Sequence, residues 1–357
     1  MLLRLHRSAS AADHEVLARV ARERGFELTL LGRERTIAEL SRRAGTGDPG
    51  DRAAFEDLAF VEAVLEAADA PELFQRASGQ PDSVVEVGAA AFGGGHVSLI
   101  AGPCALESEE RLLATARAVR AAGATVLRGG AFKPRTSPHS FQGVGREGLA
   151  WLARVGAEVG LPVVTEVLDP RDVPAVAEAA DMLQIGARSM SNFALLAEVA
   201  CTGKVILLKR GAAASVREFL SAAEYVLARG NGRVLLCERG VRGFDKTTRN
   251  LLDLGAVAYL KRATHLPIVV DPSHAAGKSE LVAPLARAGI AAGADGLMVE
   301  VHPEPREARS DGAQALLPAA FAALARDIAA LARLDGRCLV LPVERPRSIP
   351  TPEGVRT

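Results

Sequence analysis

TVLRGGAFKPRTS (residues 125–137) runs from a short apolar segment straight into a basic loop, and that order decides how the rest of the chain is read. Residues 125–128 begin β-branched and apolar and end on Arg128, as a buried strand does when it reaches the edge of a sheet. The loop then offers Lys133 and Arg135, followed by the hydroxyls of Thr136 and Ser137. Pro134 fixes one φ angle between the two cations, which holds them apart. Such a loop suits a phosphorylated, multiply anionic ligand. Guanidinium groups bind phosphate or carboxylate as planar forks, and hydroxyls fill the remaining oxygens. A solvated basic turn is the plainer reading of the same letters.

Outward from this stretch the same unit recurs. Strand-like runs ending in polar residues lie at 97–101, 125–128, 162–166, 182–186, 205–209, 234–238, 267–271 and 296–301. Amphipathic Ala/Leu/Glu/Arg segments lie between them at 107–122, 146–160, 171–180, 191–202, 215–229, 247–260 and 278–293, with a last one at 313–334. Eight alternating β/α units in about 240 residues predict a closed (β/α)8 TIM barrel. A doubly wound open sheet is the alternative. It would place a GxGxxG loop after its first strand, where this chain has AGPC.

The first 78 residues follow another pattern. Residues 1–7 and 26–31 read as strands, 11–24 and 53–67 as helices, and PELFQRAS (71–78) as a closing strand. The order predicts a small ferredoxin-like α+β domain whose third strand is eroded into the Gly/Asp/Arg-rich loop 42–52. Residues 79–97 form a connection with a β-hairpin around Gly93–Gly95, 98–337 form the barrel, and 338–357 form a loose extension.

Composition narrows the function. Forty-three basic and 43 acidic side chains cancel, which argues against a nucleic-acid or membrane-surface binder. No apolar run reaches membrane-spanning length, and the N-terminus lacks a signal-peptide core. Cys104, Cys201, Cys237 and Cys338 are widely spaced, unlike a disulfide framework, so the expected compartment is the cytoplasm.

Barrel active sites lie at the C-terminal ends of the strands. Cations cluster there: Arg128, Lys133, Arg135, Arg188, Lys209, Arg210 and Arg239. A belt of this kind holds two anionic substrates together against their repulsion. Glu166 shares that rim. Cys104, His274, Glu300 and Asp311 fall on loops one, seven and eight, which become neighbours when the barrel closes. Mixed S/N/O donors suit a divalent transition ion, Mn, Fe, Co or Zn, better than Mg or Ca. Each has a plainer reading: Cys104 as a packed thiol, His274 as a turn cap, Glu300 and Asp311 as partners of Arg306 and Arg309. His302 competes as a ligand.

These motifs resemble 3-deoxy-7-phosphoheptulonate (DAHP) synthase, in the type I-beta form with an N-terminal ferredoxin-like domain. The matching stretches include IAGPCALES (100–108), LRGGAFKPRTSPHSFQG (127–143), QIGARSMSNF (184–193), LLCERGVRGFDKTTRN (235–250) and VDPSHAAGKSELV (270–282). The related octulosonate-phosphate synthases share the AGPC opening, but their second loop reads like Lys-Ala-Asn-Arg-Ser. The resemblance implies a transferase of the shikimate pathway to chorismate and the aromatic amino acids. It would condense phosphoenolpyruvate, erythrose 4-phosphate and water to DAHP and phosphate. An octulosonate-phosphate synthase or a silent regulatory barrel are the alternatives.

The resemblance also assigns roles. Arg188, the Ala187 N–H and Arg239 hold the phosphoenolpyruvate phosphate, while Arg128, Lys133 and Lys209 surround its carboxylate. Arg135 and Thr136 grip the erythrose 4-phosphate phosphate. Lys133 and Glu166 are the catalytic candidates, and Cys104, His274, Glu300 and Asp311 bind one divalent metal. A homotetramer and an aromatic amino-acid effector at the N-terminal domain complete the expectation.

Overall fold

The computed structural model describes residues 1–6, 8–31, 36–42, 50–65, 72–134, 137 and 139–342. The N-terminal module runs β1 (Leu2–Leu5), α1 (Ala11–Glu23), β2 (Phe26–Leu31), β3 (Ile37–Arg42), α2 (Gly50–Glu56), β4 (Val61–Leu65). Its sheet order is β2-β3-β1-β4, with antiparallel pairings throughout, which is the ferredoxin-like arrangement. Ser10 and Asp13 close a capping box at the start of α1. Leu3, Leu5, Leu17 and Phe55 fill the space between sheet and helices.

Three expectations are corrected here. The third strand exists, ahead of the loop expected to have replaced it: β3 pairs with β2 over six residues and with β1. Residues 43–49 of that loop lie outside the described residues, and 50–56 are helical. The helix expected over 53–67 is only α2; Val61–Leu65 is the closing strand against β1. VEAVL favours a helix by composition, but pairing and the burial of Val61 and Val64 prevail. PELFQRAS is no strand. Its described part lies on the barrel and makes one bridge, Gln75 to Thr264.

β5 (Val85–Val87) and β6 (Ala90–Phe92) form a hairpin that turns at Gly88–Ala89. Gly93–Gly95, expected to be its turn, instead joins it to the barrel. The hairpin's Val85, Val87, Ala90 and Phe92 close the barrel floor.

The barrel strands are β7 (His96–Gly102), β8 (Val126–Arg128), β9 (Val163–Val167), β10 (Met182–Ile185), β11 (Val205–Lys209), β12 (Val234–Glu238), β13 (Ile268–Val270) and β14 (Gly296–Glu300). Each pairs in parallel with the next, and β14 returns to β7, from Gly296 opposite Ser98 to Glu300 opposite Gly102. The helices are α3 (Glu109–Ala121), α4 (Arg146–Val159), α5 (Val173–Ala179), α6 (Phe193–Ala200), α7 (Val216–Leu227), α8 (Leu254–Ala263), α9 (Pro272–Ala276), α10 (Ser279–Ala291) and α11 (Pro318–Leu334). The helix expected from 247 starts at Leu254; 247–253 is loop. Short α9 is an insertion after β13. The expected loose tail begins as β15 (Cys338–Leu339), paired with His96 and Val97; residues 343–357 lie outside the described residues. Among the described residues no helix is long and apolar enough to cross a membrane.

Candidate active site

Side chains alternate along a strand, so every second residue of a barrel strand faces the interior. The interior positions Val126, Val164, Met182, Leu207, Cys237, Val269 and Met298 form one apolar layer. Two residues further along the same strands the character changes. Arg128, Glu166, Gln184 and Lys209 follow on β8 to β11, Arg239 and Asp271 just past β12 and β13, and Glu300 ends β14. All of these are buried. A polar layer thus rests on an apolar one at the C-terminal mouth, where charges interact under weak solvent screening.

Cys104, His274, Glu300 and Asp311 each offer a ligand atom there, and these atoms lie within 4.8 Å of one another. Closure of β14 on β7 brings Glu300 to the loop carrying Cys104, and α9 presents His274. Cys104 Sγ is 3.2 Å from Asp311 Oδ2, and His274 Nε2 is 3.4 Å from Glu300 Oε1. Glu300 Oε1 is buried and accepts no hydrogen bond among the described residues, although Arg128 Nη2 stands 3.2 Å away. A buried carboxylate oxygen without a donor, facing a thiol and an imidazole, fits a divalent cation with mixed ligands. Asp311 has φ +54°, the one non-glycine residue with positive φ among those described. Backbone of this kind is sparsely populated and clusters at functional sites.

Two of the groups are already in the form a ligand needs, and the thiol is not. Burial, with Glu300 nearby, pushes the Cys104 thiol up to about 12 against the opposing pull of Lys133 and Arg128. Burial also raises Asp311, but His274 and Arg249 outweigh it and hold the carboxyl at about 2. Burial lowers His274 below its ordinary value, against Asp271 and Glu300, so its ring is neutral near pH 7.

A cavity opens beside this cluster, lined by Lys133, Arg188, Lys209, Arg239 and Arg249 with Glu166 among them. Ala187 also lines it, on the turn after β10. Lys133 Nζ donates to the Cys104 carbonyl at 3.2 Å and lies 3.1 Å from its Sγ. Gly130 permits this approach, since a Cβ there would stand 2.9 Å from Lys133 Cδ. Arg128 is buried beneath, and its Nε and Nη1 have no hydrogen-bond partner among the described residues. Arg135 and Thr136 lie outside the described residues.

Arg210 turns away from the cavity. It pairs with Glu238 at 2.8 Å and Asp253 at 3.0 Å. His302 lies outside the quartet, with Nε2 3.5 Å from Glu107 and Nδ1 accepting from the Glu304 N–H. Glu300 and Asp311 pair with Arg128 and Arg249 rather than Arg306 and Arg309; the Arg309 guanidinium lies 3.8 Å above the Phe141 ring.

Sequence reasoning missed four members of the site: Gln184, Arg249, Asp271 and Gln314. Gln184 Nε2 donates to Glu166 at 3.2 Å, and Gln314 Nε2 to Glu300 at 2.7 Å. Asp271 is fully buried between Lys209 and His274. The signal for Gln184 and Asp271 was strand alternation: each follows an interior apolar residue by two positions.

The DAHP synthetase I family model matches residues 80–333. The chain is 48% identical over 278 residues to a phospho-2-dehydro-3-deoxyheptonate aldolase of Thermotoga maritima, covering 78% of this chain and 82% of that protein. It is 37% identical over 256 residues to a 2-dehydro-3-deoxyphosphooctonate aldolase of Syntrophotalea carbinolica, covering 66% of this chain and 91% of that one. The crystal structure of a Thermotoga maritima DAHP synthase matches with a TM-score of 0.74 and 42% identity, over 95% of this chain and 98% of that one. A truncated form of the Thermotoga maritima synthase matches with a TM-score of 0.70 and 44% identity, over 75% of this chain and 98% of its own.

Proposed function

The chain belongs to the DAHP synthetase I family, and we propose that it condenses phosphoenolpyruvate with D-erythrose 4-phosphate and water. The products are 3-deoxy-D-arabino-heptulosonate 7-phosphate and inorganic phosphate. The observation that carries this reading is the juxtaposition in one mouth of a cation-lined cavity and a four-residue metal-ligand cluster. Two unit charges ~4 Å apart at an effective dielectric of about 20 repel by about 4 kcal/mol. A belt of fixed cations offsets that cost when two phosphorylated substrates share a cavity.

The residue roles follow the cavity. Arg188, the Ala187 N–H and Arg239 take the phosphoenolpyruvate phosphate. Lys209, Lys133 and the unpartnered nitrogens of Arg128 take its carboxylate. Arg135 and Thr136 take the phosphate of the aldehyde substrate. Cys104, His274, Glu300 and Asp311 would hold a divalent transition ion, which would supply Lewis-acid polarisation of the aldehyde carbonyl. C3 of phosphoenolpyruvate forms the new bond to the aldehyde carbon, and Lys133 Nζ gives a proton to the aldehyde oxygen. Glu166 orients the water that adds to C2 and takes its proton. Collapse of the resulting hemiketal phosphate breaks the C2–O bond to the phosphorus-bearing oxygen, the C2 hydroxyl passes its proton to the departing phosphate as the ketone forms, and the proton on Glu166 returns to Lys133.

Relatives of both the heptulonate and the octulosonate kind match this chain, so the aldehyde is the point to test. Phosphate release is measured with phosphoenolpyruvate plus erythrose 4-phosphate or arabinose 5-phosphate. Faster release with the five-carbon sugar overturns the assignment. We further assign the N-terminal module β1–β4, residues 1–65, to a domain that binds an aromatic amino acid and inhibits the barrel, within a cytoplasmic homotetramer. Titration of activity with tyrosine, phenylalanine and tryptophan, together with sedimentation, tests both.

A further inference from the structure

Arg249 lines the cavity, yet its contacts face the metal-ligand cluster. The segment around it is pinned to α9 by backbone bonds. Arg249 N–H donates to the Ala276 carbonyl at 3.1 Å and Asn250 N–H to that of Ala275 at 2.8 Å. Asn250 Nδ2 donates to the His274 carbonyl at 3.0 Å. These bonds fix where the Arg249 side chain starts, whatever its chemistry.

From there Nη1 reaches across the mouth to two acceptors on the loop after β14. It lies 3.2 Å from Asp311 Oδ1 and 3.1 Å from Gln314 Oε1. Gln314 passes the contact on, donating through Nε2 to Glu300 Oε2 at 2.7 Å. Each carboxylate therefore has one oxygen held by the chain. Its other oxygen faces the thiol and imidazole: Asp311 Oδ2 toward Cys104, Glu300 Oε1 toward His274. Asp311 needs such a hold, because its left-handed backbone persists only where the surroundings fix it.

We propose that Arg249 and Gln314 form a brace that presents Asp311 and Glu300 to the metal through one oxygen each, making Arg249 a positioning residue rather than a substrate ligand. The proposal rests on the metal-site reading above. Partners of this outer kind typically change metal affinity or activity 10–100-fold when removed.

The test is titration of metal-free full-length protein with Co²⁺, followed by the visible absorption that a thiolate–cobalt bond produces. Wild type, Arg249→Met, Arg249→Lys, Gln314→Leu, the Arg249→Met/Gln314→Leu double variant and Cys104→Ala are compared, with melting curves for each. Arg249→Met keeps every backbone bond and is expected to weaken Co²⁺ about tenfold, with Arg249→Lys recovering most of that loss. The double variant is expected to lose less than the product of the single losses, because the two side chains share one contact. A Co²⁺ dissociation constant for Arg249→Met within twofold of wild type overturns the brace while leaving the metal site standing. Wild type that binds no Co²⁺, or binds it as Cys104→Ala does, overturns both.

Discussion

Asp271 Oδ2 lies 2.7 Å from the Nδ1 of His274, three residues on in the short helix that Asp271 caps, and the same carboxylate contacts Lys209 Nζ. That pairing fixes the imidazole so that Nε2 faces Glu300 and the metal-ligand cluster, the usual arrangement for a ligating histidine. Burial raises the Asp271 carboxyl, but His274 and Lys209 outweigh it and hold it well below the ordinary carboxylate range. A depressed pKa contributes stability that is complete above the unfolded value near pH ~4 and drains away as pH falls below it. Asp271→Asn removes the charge at every pH and leaves Lys209 buried beside a neutral amide. We expect metal affinity to fall about 10–100-fold and the acid limb of the stability curve to flatten. Metal affinity within twofold of wild type would refute the pairing's role.

Metal binding should release one proton per ion. A thiolate is the ligand form of cysteine, and the Cys104 thiol titrates at about 12, so near neutral pH that proton must leave. His274, lowered by burial, is already neutral, and Asp311, at about 2, is already ionised. Affinity should therefore rise close to tenfold per pH unit between pH 7 and 9. Calorimetry in buffers of different ionisation enthalpy counts the protons directly. Cys104→Ser should release few or none. Two protons per ion in wild type would mean that His274 enters the site protonated.

The barrel was legible because each strand is a short apolar run ended by a polar residue, and all eight positions survive with no strand end shifted by more than one residue. The N-terminal strands β3 and β4 were harder. IAELSR and VEAVL carry Ala, Glu and Leu, whose local preference is helical, and sheet pairing overrides it, β3 with β2 and β1 and β4 with β1. The candidate metal quartet was readable because each member lies at or beyond the C-terminal end of a strand. Asp271 was hidden inside DPSH, which reads as a turn with its own cap, and it does accept the His274 N–H at 3.0 Å. Arg249 was hidden for another reason: its partner Asp311 is 62 residues away, and no local spacing marks the pair.

Gly186 serves Glu166 rather than its own backbone. Its φ of −66° is open to any residue, but a Cβ there would run into Glu166 Oε1. Gly186→Ala should thus spare folding and displace the carboxylate. We expect kcat to fall by two or more orders of magnitude, the range removed with a positioned acid–base group, with the melting temperature nearly unchanged. Glu166→Gln should lose a similar amount. The double variant should be little worse than either alone, because both act through one carboxylate. Additive losses would separate Gly186 from Glu166.

Phe74 ties the segment ahead of the barrel to the barrel itself. Its ring is buried in the main hydrophobic core and lies 5.8 Å beneath the Arg217 guanidinium. Both backbone donors at this point are used, Leu73 N–H and Phe74 N–H reaching the Glu224 carboxylate at 2.9 and 3.1 Å. Further on, Arg76 pairs with Asp82 and donates to the Thr264 carbonyl at 2.8 Å, while Lys261 joins Asp82 to Asp295. These contacts lie on α7, α8 and the barrel floor, so residues 72–83 should be part of what makes the barrel stable. Phe74→Ala should cost about 3–5 kcal/mol, as other buried phenylalanines do. At ~2–4 °C per kcal/mol for a unit of this size, that is a drop of roughly 6–20 °C. A fragment starting at residue 72 should melt close to the intact barrel, and one starting at 84 should melt at least as low as Phe74→Ala. Equal melting of the two fragments would show that the segment merely rests on the surface.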